Sequence, residues 1–223
     1  MPKTMPNFSY TSLPISGFAG RPLPNLFLKQ QEPADHLALL FPGLNYSADM
    51  PVLYYPSQIL LGHHADVLQV RYEYDRQPDF MRQAAEKRFE QIRIDGFGAL
   101  ETALKERAYQ RITLIGKSIG TLSMGCLVGD ARLVHSRCIW LTPLLNDDRL
   151  ISQIGSGGQP GLFVSGTEDR YYDRMRLEHL AQLPGCRSLV VPGADHSLEL
   201  PAGLWSNLDT LTRVLKAVEE FIG

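Results

Sequence analysis

No run of 18 or more apolar residues occurs in the 223-residue chain, so nothing in it reads as a membrane-spanning helix. The opening residues, Met1-Pro-Lys-Thr-Met-Pro-Asn7, lead into no apolar segment of the kind a secretory leader carries. Cysteine is scarce. Cys126, Cys138 and Cys186 are too few and too scattered for a disulfide framework or a cysteine-rich metal site, which fits a reduced compartment. Surplus charge is missing too: 22 basic and 24 acidic side chains leave a formal net charge of −2, so no electrostatic argument favours nucleic acid or an anionic membrane as partner. Internal repeats are absent, and the nearest thing to low complexity, Gly155-Ser-Gly-Gly158, reads as a flexible loop. Together these absences point to a soluble cytoplasmic protein.

What remains is an ordinary globular balance, 44% apolar and 21% charged, in a length that suits one domain over residues 1–223. Residues 8–15 and 23–29 have strand character on either side of a turn-prone Ser16–Pro22, and predict an antiparallel pair at a sheet edge. Residues 36–41 read as a central strand stopped by Pro42-Gly43, residues 50–61 as a buried helix, and residues 67–74 as a strand. Residues 79–109 are helical in composition with a break near Asp95-Gly-Phe-Gly98. Further strands are expected at 112–115, 138–142, 162–165 and 188–191, and helices from Ser118 to about Val128 and over 171–181. An amphipathic helix at 208–222 has apolar residues at Leu208, Leu211, Val214, Leu215, Val218 and Phe221. The alternation predicts an α/β protein: a mostly parallel central sheet with helices on both faces and antiparallel N-terminal edge strands.

One stretch organises the rest. The β-branched run Ile112–Ile115 feeds into Gly116-Lys-Ser-Ile-Gly120 and then into a small-residue helical pattern. A strand turning this sharply into a helix strains its central residue and leaves space only for glycine-sized neighbours, so Ser118 would stand exposed at the end of the strand. The helix behind it offers unpaired N–H groups where negative charge would develop. The stretch is not a phosphate loop, because Arg111 stands five residues before Gly116 where that pattern needs glycine.

Ligands of an open parallel sheet bind beyond the C-terminal ends of its strands. Pro42-Gly-Leu-Asn45, Ser118, Gly166-Thr-Glu-Asp169 and Gly193-Ala-Asp-His196 each follow a predicted strand, so a serine, a carboxylate and a histidine share one edge. A serine hydroxyl needs a base to take its proton, a neutral imidazole serves best near neutral pH, and the imidazole needs an acceptor for its second nitrogen. His196 is the candidate base and Asp169 the candidate acceptor; Glu168 and Asp173 are alternative acids. His63, His64 and Asp66 cluster as metal ligands would, but adjacent histidines point apart and no fourth ligand is evident, so a helix end is the better reading.

In these three motifs, met in the order Ser118, Asp169, His196, the chain resembles an α/β-hydrolase from about Asn7 to Gly223. The resemblance implies Ile119 and Leu44 as oxyanion donors, with Asn45 close behind, because Pro42-Gly43 stands where many family members have His-Gly. It implies pocket positions at Asn45, Lys117, Pro143 and Tyr171, with Lys117 facing either the pocket rim or the helix layer. Only about 18 residues separate Pro143 from Leu162, too few for an inserted cap, so an open, shallow pocket is expected. The implied function is a serine hydrolase that cleaves an ester or thioester of a small or exposed acyl compound through an acyl-enzyme on Ser118, with no metal or organic cofactor. The same triad would serve a peptidase, an amidase or an acyltransferase, and a binding protein could keep the fold without turnover. Monomer and dimer both remain open.

Overall fold

Segments of four to seven residues form eight strands along residues 8–223, the part of the chain that a computed structural model describes. They are β1 (Phe8–Thr11), β2 (Asn25–Gln30), β3 (His36–Phe41), β4 (Ala65–Val70), β5 (Arg111–Lys117), β6 (Arg137–Leu141), β7 (Gly161–Gly166) and β8 (Arg187–Val191). The helices are α1 (Pro51–Gly62), α2 (Ala85–Ala103), α3 (Ile119–Leu127), α4 (Asp148–Gly157), α5 (Arg174–Ala181) and α6 (Leu204–Ile222). The strands make one sheet in the order β1-β2-β4-β3-β5-β6-β7-β8. β1 and β2 run antiparallel to their neighbours, and every pair from β4 to β8 is parallel.

Side chains alternate across a strand, and here both faces are apolar. Leu37, Leu39 and Phe41 pack on one side with Leu100 of α2, Leu127 of α3, Ile154 of α4 and Leu180 of α5. Ala38 and Leu40 pack on the other with Leu53 and Leu60 of α1 and Val214 and Val218 of α6. Burying a leucine on either face contributes about 2 kcal/mol. The register aligns the strand ends, with Phe41 opposite Gly116 and Lys117 opposite Leu141, so the loops that follow emerge at one edge. Among the described residues no helix is long and apolar enough to cross a membrane.

Several boundaries differ from expectation. β1 stops at Thr11 because Leu13 is drawn off by the Asn25 side chain, which accepts from Leu13 N–H at 2.9 Å and donates to Leu13 O at 2.8 Å. β4 ends at Val70; the chain then turns away, and Tyr72, Tyr74 and Phe80 stack on one another outside the ladder. α2 is one unbroken helix, and it starts only at Ala85. Gly98 serves packing rather than a break, since a Cβ there would lie 2.6 Å from Ser16 O.

The largest difference is α4, whose C-terminal end falls on Gly155–Gly158, the stretch that reads as a flexible loop in the sequence. Asp147 caps it by accepting from Leu150 N–H, Leu150 and Ile154 supply its buried face, and Gly155 and Gly157 fall in the final turn before Gly158 at φ 74°. α5 begins at Arg174 rather than Tyr171, because Asp173 is its N-cap.

Candidate active site

Where β5 ends, Ser118 adopts φ 54° and ψ −121° before α3 begins at Ile119. Such a backbone costs on the order of 1–3 kcal/mol and persists only where packing over-determines it. The packing is visible at Gly120, where a Cβ would come within 2.0 Å of Phe41 O, so no side chain fits. Thr121 tightens the turn by donating its N–H and its hydroxyl to Ser118 O at 2.9 and 2.6 Å.

The loops after β7 and β8 are zipped together. Thr167 N–H donates to Val191 O, Gly193 N–H to Thr167 Oγ1 and Glu168 N–H to Ala194 O, at 3.1, 2.8 and 2.9 Å. That pairing sets Asp169 against His196. Asp169 Oδ1 accepts from Tyr171 N–H at 2.9 Å, and Oδ2 lies 2.8 Å from His196 Nδ1. On the other side of the ring, His196 Nε2 lies 2.8 Å from Ser118 Oγ. With Nδ1–H donated to the carboxylate, Nε2 is left to accept the Ser118 hydroxyl proton. The Asp169 side chain is 1% exposed and that of His196 28%, so the carboxylate is shielded while the imidazole opens to the cleft. The ring of Tyr171 packs edge-on against the imidazole at 5.1 Å.

The turn after β3 completes the edge. Gly43 N–H donates to Tyr46 O at 3.0 Å, which brings Leu44 and Asn45 to the tip of a tight loop. A Cβ on Gly43 would stand 3.5 Å from Ser118 Cβ, so this loop abuts Ser118. Ile119 opens α3, and its N–H is among the first-turn donors that a helix leaves without an internal partner.

Lys117 borders the cleft from within the fold rather than at an open rim. It is 1% exposed, and its Nζ donates to His196 O at 2.8 Å and to Thr142 Oγ1 at 3.0 Å. The same ammonium lies 4.5 Å from the centre of the Tyr46 ring. Burial pushes its pKa down to about 8, opposed by the charges of Asp169 and Asp195. Burial likewise raises the pKa of Tyr46.

A cleft of about 700 Å³ opens beside Ser118. Leu44, Asn45, Lys117, Ile119, Tyr171 and His196 line it, as the sequence suggested, whereas buried Pro143 does not and Leu144 stands there instead. One wall was not foreseen: Phe80, Met81, Phe89 and Ile92, from the segment between β4 and the first turns of α2. Only their apolar character in a polar stretch could have signalled it. The Arg149 guanidinium lies over Phe89 at 4.0 Å and that of Arg170 over Tyr171 at 4.8 Å.

The alternative acids have other work. Glu168 is exposed, and Asp173 accepts from Arg176 N–H at 3.0 Å as the cap of α5, outside the helix in which it was expected. Neither His63, which ends α1, nor His64, beside Pro33 O, converges with Asp66. Asp66 is buried in β4, where it takes Gln30 N–H, the Tyr109 hydroxyl and Arg107 Nε.

No protein-family model matches the chain, and no curated protein matches it in sequence. Solved structures do match it in fold. The esterase Est1E from Butyrivibrio proteoclasticus superposes with a TM-score of 0.70 at 16% identity, covering 95% of this chain and 98% of that one. A dienelactone hydrolase from Anabaena variabilis gives 0.73 at 15% identity over 96% and 97%. An α/β serine hydrolase without lid from Xanthomonas campestris gives 0.67 at 17% identity over 100% and 96%.

Proposed function

We propose that this chain, which has the α/β-hydrolase fold, is a serine hydrolase that cleaves an ester or thioester of a small or solvent-exposed acyl group. One observation carries the reading: the unbroken chain Ser118 Oγ, His196 Nε2, His196 Nδ1, Asp169 Oδ2, with 2.8 Å at each contact. The names of the similar structures, esterases and a dienelactone hydrolase among them, support the reaction class.

Ser118 Oγ attacks the carbonyl carbon as its proton passes to His196 Nε2. Asp169, shielded from water, holds the imidazole in the productive tautomer and stabilises the imidazolium. The oxyanion is received by the N–H groups of Ile119 and Leu44, with Asn45 the neighbouring candidate; each such donor contributes on the order of 3 kcal/mol to the transition state. His196 returns the proton to the leaving group. Water, activated by the same imidazole, then resolves the acyl-enzyme. These steps call on no metal or organic cofactor.

Between β6 and β7 the chain has space for α4 alone, so we read residues 1–223 as one domain without an inserted cap. The scarcity of cysteine is the ground for assigning it to the cytoplasm. Peptide or amide cleavage and acyl transfer use the same constellation. A non-catalytic binding protein is the reading to be excluded first, by exposing the chain to a fluorophosphonate and measuring intact mass beside turnover of p-nitrophenyl acetate. A hydrolase gains one adduct at Ser118 and loses it in Ser118→Ala. Absence of both adduct and turnover would overturn the reading.

A further inference from the structure

We infer that Lys117 is a positioning residue for the proposed reaction: its buried ammonium ties the histidine loop, the oxyanion turn and the end of β6 to the strand that carries the nucleophile. The inference rests on the serine-hydrolase reading above.

An ammonium has three N–H bonds. Lys117 Nζ faces three acceptors: His196 O at 2.8 Å, Thr142 Oγ1 at 3.0 Å and the face of the Tyr46 ring at 4.5 Å. Each belongs to a different loop. His196 follows β8, Thr142 follows β6 at a strained φ of 42°, and Tyr46 closes the turn after β3 whose tip is Leu44-Asn45. One cation therefore spans the base, the oxyanion turn and the elbow. The tie to His196 is made at its backbone carbonyl, which leaves both ring nitrogens to Asp169 and Ser118.

Packing alone does not account for a cation here, because an apolar side chain of the same length would fill the space without the cost of burying charge. The charged groups around it are already engaged. Asp169, after β7, takes His196 and Tyr171 N–H; Asp195, beside His196, takes the N–H groups of Ser197 and Glu199; the Tyr46 hydroxyl accepts Val52 N–H. Neither carboxylate pairs directly with Nζ, so the ammonium acts on loops rather than on a counter-ion. A neutral amine keeps two N–H bonds but loses the charge that strengthens its bond to His196 O and draws it to the Tyr46 ring. The tie therefore holds in the charged state and loosens as pH rises through about 8.

The experiment follows kcat and KM for p-nitrophenyl acetate from pH 6 to 10 in wild type, Lys117→Met and Thr142→Val, with fluorophosphonate labelling of each. Wild-type kcat should decline above about pH 8. Lys117→Met should lower kcat at pH 7 by about 10- to 100-fold, the size of loss that a small misplacement of reacting groups causes, with KM little changed and the alkaline decline gone. Thr142→Val removes one acceptor from the ammonium and should move the decline to lower pH. Wild-type kcat in Lys117→Met, or the same decline in all three proteins, would overturn the inference. Should Lys117→Met fail to fold, an unmoved decline in Thr142→Val overturns it alone. If wild type neither labels nor turns over, the hydrolase reading falls separately, and NMR of the His196 Nδ1 proton decides on Lys117. A resonance lost or shifted in Lys117→Met sustains the tie, and an unchanged one removes it.

Discussion

Ser118 Oγ stands 2.8 Å from His196 Nε2 although 78 positions of sequence separate them. β6 and β7 lie between the strands that carry the two loops, so the contact depends on the histidine loop folding back across the sheet edge, held by its bonds to the loop after β7. Ser118→Ala keeps a Cβ at the same φ and leaves that scaffold alone. Esterase turnover should fall by at least about 10³-fold, while the Tm by calorimetry stays close to wild type. Retained turnover would take Ser118 out of the reaction.

The neighbouring carboxylates should separate cleanly. Asp169→Asn should cut kcat on the order of 10⁴-fold by favouring the wrong imidazole tautomer. Asp173→Ala removes the cap of α5 and should cost about 1 kcal/mol in urea denaturation with kcat nearly intact. Glu168→Gln should change neither. A severe loss in Glu168→Gln beside a mild one in Asp169→Asn would assign the acid wrongly.

Lys117 should cost stability where it aids turnover. Its folded value of about 8 lies below the ordinary 10.5, so between those values the unfolded chain holds a proton that the folded chain has released. At pH 7 both states are protonated, and the fold bears the whole difference, roughly 3 kcal/mol. That cost shrinks as pH rises from 8 toward 10.5, and this residue's contribution to stability improves over the same range. Lys117→Met should therefore unfold at urea concentrations equal to or above wild type at pH 7, with the gap closing by pH 10. A variant much less stable than wild type at pH 7 would contradict this.

Acyl preference should follow the wall of the cleft. With Phe89 pinned under Arg149, wild type should turn over short p-nitrophenyl esters better than long ones. Phe89→Ala opens the wall and should narrow that preference, read as the ratio of kcat/KM for acetate over decanoate. A ratio that does not move would detach Phe89 from substrate binding.

The elbow was legible because its constraint is local: Gly116 and Gly120 bracket Ser118 within five residues, and crowding leaves few other solutions. Asp169 and His196 were legible by position, since each follows an apolar run ended by glycine, and parallel topology sends such ends to one edge. Lys117 was not. Its neighbour along the strand says only that it alternates, while its partners, Tyr46, Thr142 and His196, arrive from three distant loops. α4 escaped notice because Gly155 and Gly157 outweighed the cap and apolar pair that start it, and only contact with α3 and α5 supplies the rest of its stability. The wall at Phe80 and Phe89 was hidden for the same reason: nothing near Phe80 announces that the chain after β4 turns back over the elbow.

Phe80, Met81 and Phe89 lie on a stretch that contributes no strand to the sheet and no atom to the Ser118–His196–Asp169 chain. Phe80 and Ile92 are fixed by the core beneath the sheet, so only Met81 and Phe89 can be exchanged while the sheet and the Ser118–His196–Asp169 chain stay as they are. The shape of the cleft is therefore tunable at two side chains that the fold does not need, which makes positions 81 and 89 the natural targets for a small library.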